Sequence, residues 1–145
     1  MERPSATPTP QLTIGRLAAR AGVHLETIRY YERRGLLRTP PRSVSGYRTF
    51  PADAVRRVRF IKRAQELGFS LREIKELLSL RAAPQARCAD VRARAMAKLA
   101  DVEAKIRSLM SMKQALTHLI AECTGRRRSA MDCPILDALD AEDVA

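Results

Sequence analysis

The chain has 145 residues, with 27 Lys+Arg against 16 Asp+Glu and a formal net charge of +11. That is a one-domain length, and no apolar run approaches the roughly 18 residues that a membrane helix needs, so no membrane partner is expected. The Pro-rich start MERPSATPTPQ has no hydrophobic signal core; the chain is expected in the cytoplasm, where three cysteines point to metal or thiol chemistry rather than a disulfide framework.

The placement of the charge says more than its size. Residues 1–87 carry the whole excess of +11, and residues 88–145 balance to zero. A basic module followed by a neutral one predicts that the first part binds a polyanion, with nucleic acid foremost.

Residues 1–11 read as a disordered tail. Thr13 is placed to cap a short helix over Ile14 to Ala21, with Leu17 and Ala18 facing inward, and Gly22 supplies the turn. A second helix is predicted from about Leu25 to Arg34, with Gly35 as its stop. Two short helices joined by a glycine turn, with Arg29, Arg33 and Arg34 on the second, carry a helix-turn-helix signature. The spacing alone also allows an ordinary helical corner. Residues 36–50 cannot be helix because of Pro40, Pro41 and Gly46, and they read as a two-stranded wing with a basic tip. There Arg42, Ser43, Tyr47 and Arg48 could reach phosphates.

Pro51 suits the first turn of a third helix, Ala52 to Leu67, with Arg56, Arg57, Arg59, Lys62 and Arg63 on one side and Val55, Val58 and Ile61 toward the core. Gly68 ends it. Ser70 and Glu73 form a capping box for a fourth helix with the stripe Leu71, Ile74, Leu77 and Leu78. Residues 81–87 read as a linker.

Cys88 then opens one long helix. Leu99, Val102, Ile106, Leu109, Leu116 and Ile120 recur at the 3-4 spacing of a coiled-coil seam, and Cys123 is the next position in phase. At 1.5 Å per residue such a helix spans roughly 52 Å, so Cys88 and Cys123 of one chain cannot meet. Paired antiparallel with a second copy, Cys88 of one chain arrives beside Cys123 and Cys133 of the other. This is a candidate three-thiolate site, present twice per dimer.

The segments TIGRLAARAGVHLETIRYYERRGLL (13–37), SGYRTF (45–50) and VRRVRFIKRAQELGFSLREIKELL (55–78), with the cysteine-bearing end, resemble the MerR family of metal-responsive transcription regulators. The likeness runs from Leu12 to Leu139 and points to the heavy-metal branch, most of all its mercury-responsive members. It implies a mainly all-α fold: a winged helix-turn-helix DNA-binding domain over residues 12–80, a linker and antiparallel coiled-coil dimerisation helix over 81–122, and a metal-binding loop with a short terminal helix over 123–145. It also implies a homodimer on promoter DNA that, on metal binding, bends and untwists the duplex for RNA polymerase. Carried over by position, Leu25–Arg34 is the recognition helix. Arg29 is the best candidate for a guanine edge, and Thr27 and Tyr30 lie beside the groove or its phosphates. Tyr47 and Arg48 hold the backbone from the wing, and Arg16 is a further phosphate candidate. Tyr31 could serve the groove or the core.

Thiolates select soft or borderline ions. In the family a third cysteine at the start of the dimerisation helix marks the divalent-metal members, and this chain has Cys88 there. The zinc-type members carry a loop histidine and a neighbouring cysteine that TGRRRSAMD (124–132) lacks, and zinc prefers four ligands. Three thiolates therefore favour Hg(II), then Pb(II) and Cd(II), with Zn(II) last unless Asp132 or water completes its shell. Arg126, Arg127 and Arg128 stand beside the site and would favour thiolates. His24 reads as a cap or DNA neighbour, and His118 as a surface or seam residue. Pro134 is expected to start a helix whose Ile135, Leu136 and Leu139 cover the loop. No catalytic constellation is visible, so an enzyme is not expected. The alternatives are a thiol redox-sensing regulator on the same scaffold and a metal-sequestering protein.

Overall fold

The computed structural model describes residues 11–38, 46, 49–123 and 129–141. The element order is β1 (Gln11–Thr13), α1 (Ile14–Ala21), α2 (Leu25–Arg33), β2 (Thr49–Pro51), α3 (Asp53–Glu66), α4 (Leu71–Ala82), α5 (Cys88–Glu122), a 3-10 turn (Ala130–Asp132) and α6 (Pro134–Asp140). The chain divides into two compact units, residues 1–95 and 96–145. Among the described residues no helix is long and apolar enough to cross a membrane.

In the first unit the local signals act as the chemistry demands. Thr13 caps α1 by accepting from the Arg16 backbone N–H at 3.3 Å. Gly22 follows α1 with φ 70°, a left-handed conformation costly for any residue with a Cβ, and its N–H returns to the last carbonyls of α1. Ser70 and Glu73 close a reciprocal capping box on α4. Leu17, Ile28, Leu36, Phe50, Val58, Ile61 and Ile74 are buried almost completely and form one core drawn from α1, α2, β2, α3 and α4.

Some boundaries and one pairing differ from the sequence reading. Helix α2 stops at Arg33, and α3 is one residue shorter at each end, with Ala52 and Leu67 as its caps. Pro51 is the last residue of β2, outside the helix, and α4 continues to Ala82. The two-stranded wing expected within residues 36–50 falls mostly outside the described residues, but the strand Thr49–Pro51 has a partner elsewhere. It pairs antiparallel with Gln11–Thr13, matching Leu12 with Phe50. Gln11, counted above with the tail, therefore belongs to a strand. The reason is burial: Leu12 and Phe50 point into the core together, while Leu36 and Leu37 are buried after the Gly35 turn with no strand there. The remaining wing residues, 39–45 and 47–48, lie outside the described residues.

The basic stripe of α3 has a structural use that composition conceals. Helix C-termini leave carbonyls without intrahelical donors. Lys62 Nζ donates to the Gly22 carbonyl at 3.0 Å and Arg59 Nη2 to the Arg20 carbonyl at 2.7 Å, both at the end of α1. Arg57 Nε donates to the Leu36 carbonyl at 2.7 Å, just past α2. Cations at these negative helix ends also meet the helix dipole favourably. Three of the α3 cations thus hold the helix-turn-helix against its support helix.

Two substitutions check this packing in chemical unfolding of the intact protein. Ile61→Ala should cost about 2–5 kcal/mol through lost burial and the cavity left behind. Ser70→Ala should cost about 1 kcal/mol through the lost cap. An Ile61→Ala loss no larger than the Ser70→Ala loss would contradict the core assignment.

Candidate DNA-binding face and metal centre

The exposed side of α2 carries the candidate base-reading residues. Arg29 is solvent-exposed, and its Nη1 donates to Glu26 Oε1 at 2.9 Å, one turn earlier. An exposed pair of this kind contributes little stability, so Arg29 is available to a better acceptor. Thr27 is half-buried beside it. Tyr30 is exposed, with the guanidinium groups of Arg33 and Arg34 at 6.0 and 5.6 Å from its ring centroid. Arg34 Nε also donates to the Tyr30 hydroxyl at 3.3 Å. The end of α2 is therefore a cationic cluster built on one aromatic ring. Arg16 is exposed on α1.

Tyr31 resolves to the core. It is only 2% exposed, and its hydroxyl donates to Gln65 Oε1 at 2.6 Å, which ties α2 to α3. Burial, with Tyr30 adding to it, raises its pKa above the usual phenol value. His24 precedes α2 as its N-cap residue, but its side chain makes no capping hydrogen bond. Arg42, Tyr47 and Arg48 lie outside the described residues, as do Arg126, Arg127 and Arg128.

The cysteines occupy the two ends of α5. Cys88 is its first residue and is exposed. In the second unit, Cys123 directly follows Glu122, the last residue of α5; its N–H continues the helix ladder to the Leu119 carbonyl at 3.2 Å. Cys133 stands at the N-cap of α6, with Pro134 pre-set for the first helical turn. Its carbonyl accepts from Asp137 N–H at 3.0 Å. The Cys133 thiol is held below its ordinary pKa, chiefly by the backbone N–H groups of Leu136 and Ile135 and further by the thiol of Cys123, against the opposing effects of burial and of Asp137. No capping hydrogen bond closes to the sulfur, so these N–H groups act on it as dipoles at a helix N-terminus.

Cys123 and Cys133 are both half-buried, and the Cys123 thiol is one of the groups that lower the Cys133 pKa. Among the described residues no three His, Cys, Asp or Glu side chains of one chain come together as a metal site. What the second unit offers is a two-sulfur half-site, with one thiol biased toward thiolate. His118 pairs with Glu122 at 3.2 Å on the exposed surface of α5. Ile135 is half-buried, and Leu136 and Leu139 are 53% and 72% exposed; residues 124–128 of the loop they were expected to cover lie outside the described residues.

Comparison with known proteins bears on both regions. The family model described as MerR HTH family regulatory protein matches residues 12–80, and a second, described as MerR, DNA binding, matches residues 55–119. The chain is 42% identical over 128 residues to the HTH-type transcriptional regulator HmrR of Rhizobium leguminosarum bv. viciae, covering 88% of this chain and 97% of that one. It is 41% identical to the mercuric resistance operon regulatory protein of Bacillus cereus, covering 87% and 95%. Among solved structures, the transcription regulator PbrR691 from Ralstonia metallidurans CH34 in complex with lead(II) matches with a TM-score of 0.79 and 34% identity, covering 88% of this chain and 98% of that one. MerR from Bacillus megaterium MB1 in complex with mercury(II) matches with a TM-score of 0.67 and 37% identity, covering 86% and 95%. These relatives are transcriptional regulators rather than enzymes, and with identities this high over nearly the whole chain, the protein belongs to the MerR family of helix-turn-helix transcriptional regulators.

Proposed function

We propose that this regulator binds promoter DNA as a homodimer and switches transcription when a thiophilic metal ion, foremost Hg(II), binds between its subunits. The observation that carries the reading is the half-site itself: Cys123 beside a thiolate-biased Cys133, with the remaining cysteine at the opposite end of α5. Cys88 of the partner subunit would supply the third sulfur. A bound ion would then link the two chains through sulfur and couple the coiled-coil ends to the DNA-binding domains. Relatives named for mercuric resistance, and a related structure holding mercury(II), support this choice. So does the donor chemistry, since soft thiolates suit Hg(II).

On the DNA, Arg29 would read a guanine edge from α2, with Thr27, Tyr30 and Arg16 against the groove and phosphates and Arg42, Tyr47 and Arg48 holding the backbone from the wing. Metal binding would favour a dimer geometry that deforms the promoter for RNA polymerase. The pattern of +11 confined to residues 1–87 supports this division of labour. Pb(II) in the same site is a second reading, favoured by the higher TM-score of the lead-bound relative, 0.79 against 0.67. Cd(II) and Zn(II) are further alternatives for this site.

Subunit mixing tests the shared site. Cys88→Ser dimers and Cys123→Ser/Cys133→Ser dimers should each lose Hg(II)-dependent transcription in vitro. Mixed dimers should regain it, because one complete site re-forms. A Cys88→Ser dimer that responds normally would remove the partner cysteine from the site, and a response to Pb(II) but not Hg(II) would reassign the metal.

Arg29→Ala should weaken binding to the specific operator by about 1–3 kcal/mol while leaving non-specific DNA affinity nearly unchanged. Competition binding at fixed salt measures the difference.

A pH dependence follows from Cys133. Its folded pKa is lowered, so the native state binds fewer protons than the unfolded chain between that lowered value and the ordinary thiol value. The stability it contributes is present above the ordinary thiol value and is lost as pH falls through the lowered one. Alkylation of Cys133 in metal-free protein should accordingly reach half-rate at lower pH than in the urea-unfolded chain. Coincident profiles would contradict the effect of the helix N-terminus.

A further inference from the structure

The seam of α5 contains one charged residue between Leu99 and Ile120. Leu99, Ile106, Lys113 and Ile120 share one phase, and Val102, Leu109 and Leu116 share the other, with Cys123 continuing it. In the heptad these are the a and d positions, and Lys113 stands at a. None of the α5 residues is buried, and Leu99, Ile106, Leu109, Leu116 and Ile120 are 50–64% exposed. Among the described residues neither Lys113 nor Glu103 forms an ion pair within its own chain.

We infer that Lys113 pairs with Glu103 of the partner subunit, and that this pair sets the antiparallel register that brings Cys88 to the partner's thiols. The inference rests on the dimeric reading above and deepens it.

An antiparallel coiled coil stacks each a residue against a d residue of the other helix. One register satisfies the seam self-consistently. Ile106 faces Leu109, Leu99 faces Leu116, and Ala95 faces Ile120, each twice by the two-fold symmetry. In that register Lys113 faces Val102. Residue a lies on the side of the seam where the e positions run, and the e residue next to Val102 is Glu103. The ammonium leaves the apolar layer along its own methylene stem and meets a carboxylate at the rim.

A slip of one heptad in either direction puts Lys113 opposite Ala95 or Leu109. The neighbouring e residue is then Met96 or Met110, and the ammonium meets no charge. In the first of these slips Arg92 also comes near and repels it. Apolar layers survive in all three alignments, so hydrophobic burial alone discriminates weakly, and the charge decides. A lysine at a single a position is a known device for choosing register at some cost in stability. The favoured register also faces Arg92 with the partner's Cys123. Cys88 lies one turn before Arg92 and so lands within about one turn of that thiol.

Cysteine cross-linking reads the register directly. In a background with Cys88, Cys123 and Cys133 changed to Ser, Ile106→Cys/Leu109→Cys dimers should form inter-subunit disulfides readily. Val102→Cys/Ile106→Cys dimers, which report a one-heptad slip, should not. Adding Lys113→Glu should remove the preference between the two pairs, and adding Glu103→Lys to that variant should restore it. With the native cysteines kept, Lys113→Glu should lower Hg(II) affinity at least tenfold, and the double exchange should recover most of it. Val102/Ile106 cross-linking in preference to Ile106/Leu109 would overturn the register. An unchanged pattern in Lys113→Glu, or in the apolar variant Lys113→Met, would overturn the role of Lys113. Sedimentation of the same samples separates these failures from that of the underlying reading: a dimer with another register overturns only this inference, and a monomer overturns the dimer as well.

Discussion

Helix α5 has no buried residue, and most of its apolar stripe stands exposed to water. Helices in proteins draw most of their stability from packing an amphipathic face. This 35-residue helix has no buried residue, so among the described residues of its own chain no such face is packed. The exposed row of Leu99, Ile106, Leu109, Leu116 and Ile120 would be an aggregation hazard on a monomer and becomes a core when a second copy covers it. The same geometry that demands a partner also separates the cysteines. Cys88 opens the helix and Cys123 follows its end, so a site needing all three sulfurs draws on two chains. In this reading dimerisation and metal sensing are one requirement.

The first unit solves a different problem. It is small, strongly basic and built from short helices whose ends leave carbonyls to satisfy. Arg57, Arg59 and Lys62 meet that need by bonding to the carbonyls of Leu36, Arg20 and Gly22. Positive charge in this unit therefore has two uses: some of it holds the helix-turn-helix in place, and some stands outward on α2. Tyr30 and Tyr31 show the same division in adjacent residues. Tyr31 turns in to bond Gln65, while Tyr30 turns out and gathers Arg33 and Arg34 over its ring. The glutamate that holds Arg29 does so at the surface, where solvent screening keeps the pair weak and the guanidinium easily transferred to a base edge.

Much of this was legible in the sequence because the determinants are local. Gly22, Gly35 and Gly68 mark left-handed turns, Thr13 and Ser70 mark helix starts, and the 3-4 spacing marks α5. These act through backbone sterics and hydrogen bonds within a few residues, so their consequences can be read in place. The pairing of Thr49–Pro51 was not legible, because its partner Gln11–Thr13 lies far upstream, where Gln11 was counted with the tail and Thr13 read as a helix cap. Ile135, Leu136 and Leu139 were expected to cover the loop together, but apolar character alone could not say that Ile135 is half-buried while Leu136 and Leu139 stay exposed.

By itself, then, the sequence determined the helices, several of their caps and the 3-4 spacing of apolar residues along α5, since each depends on short-range periodicity or side-chain chemistry. Tertiary structure alone decided which cations clamp carbonyls and which tyrosine faces the core. Those outcomes depend on where distant backbone dipoles and side chains come to lie, and no local pattern encodes that placement.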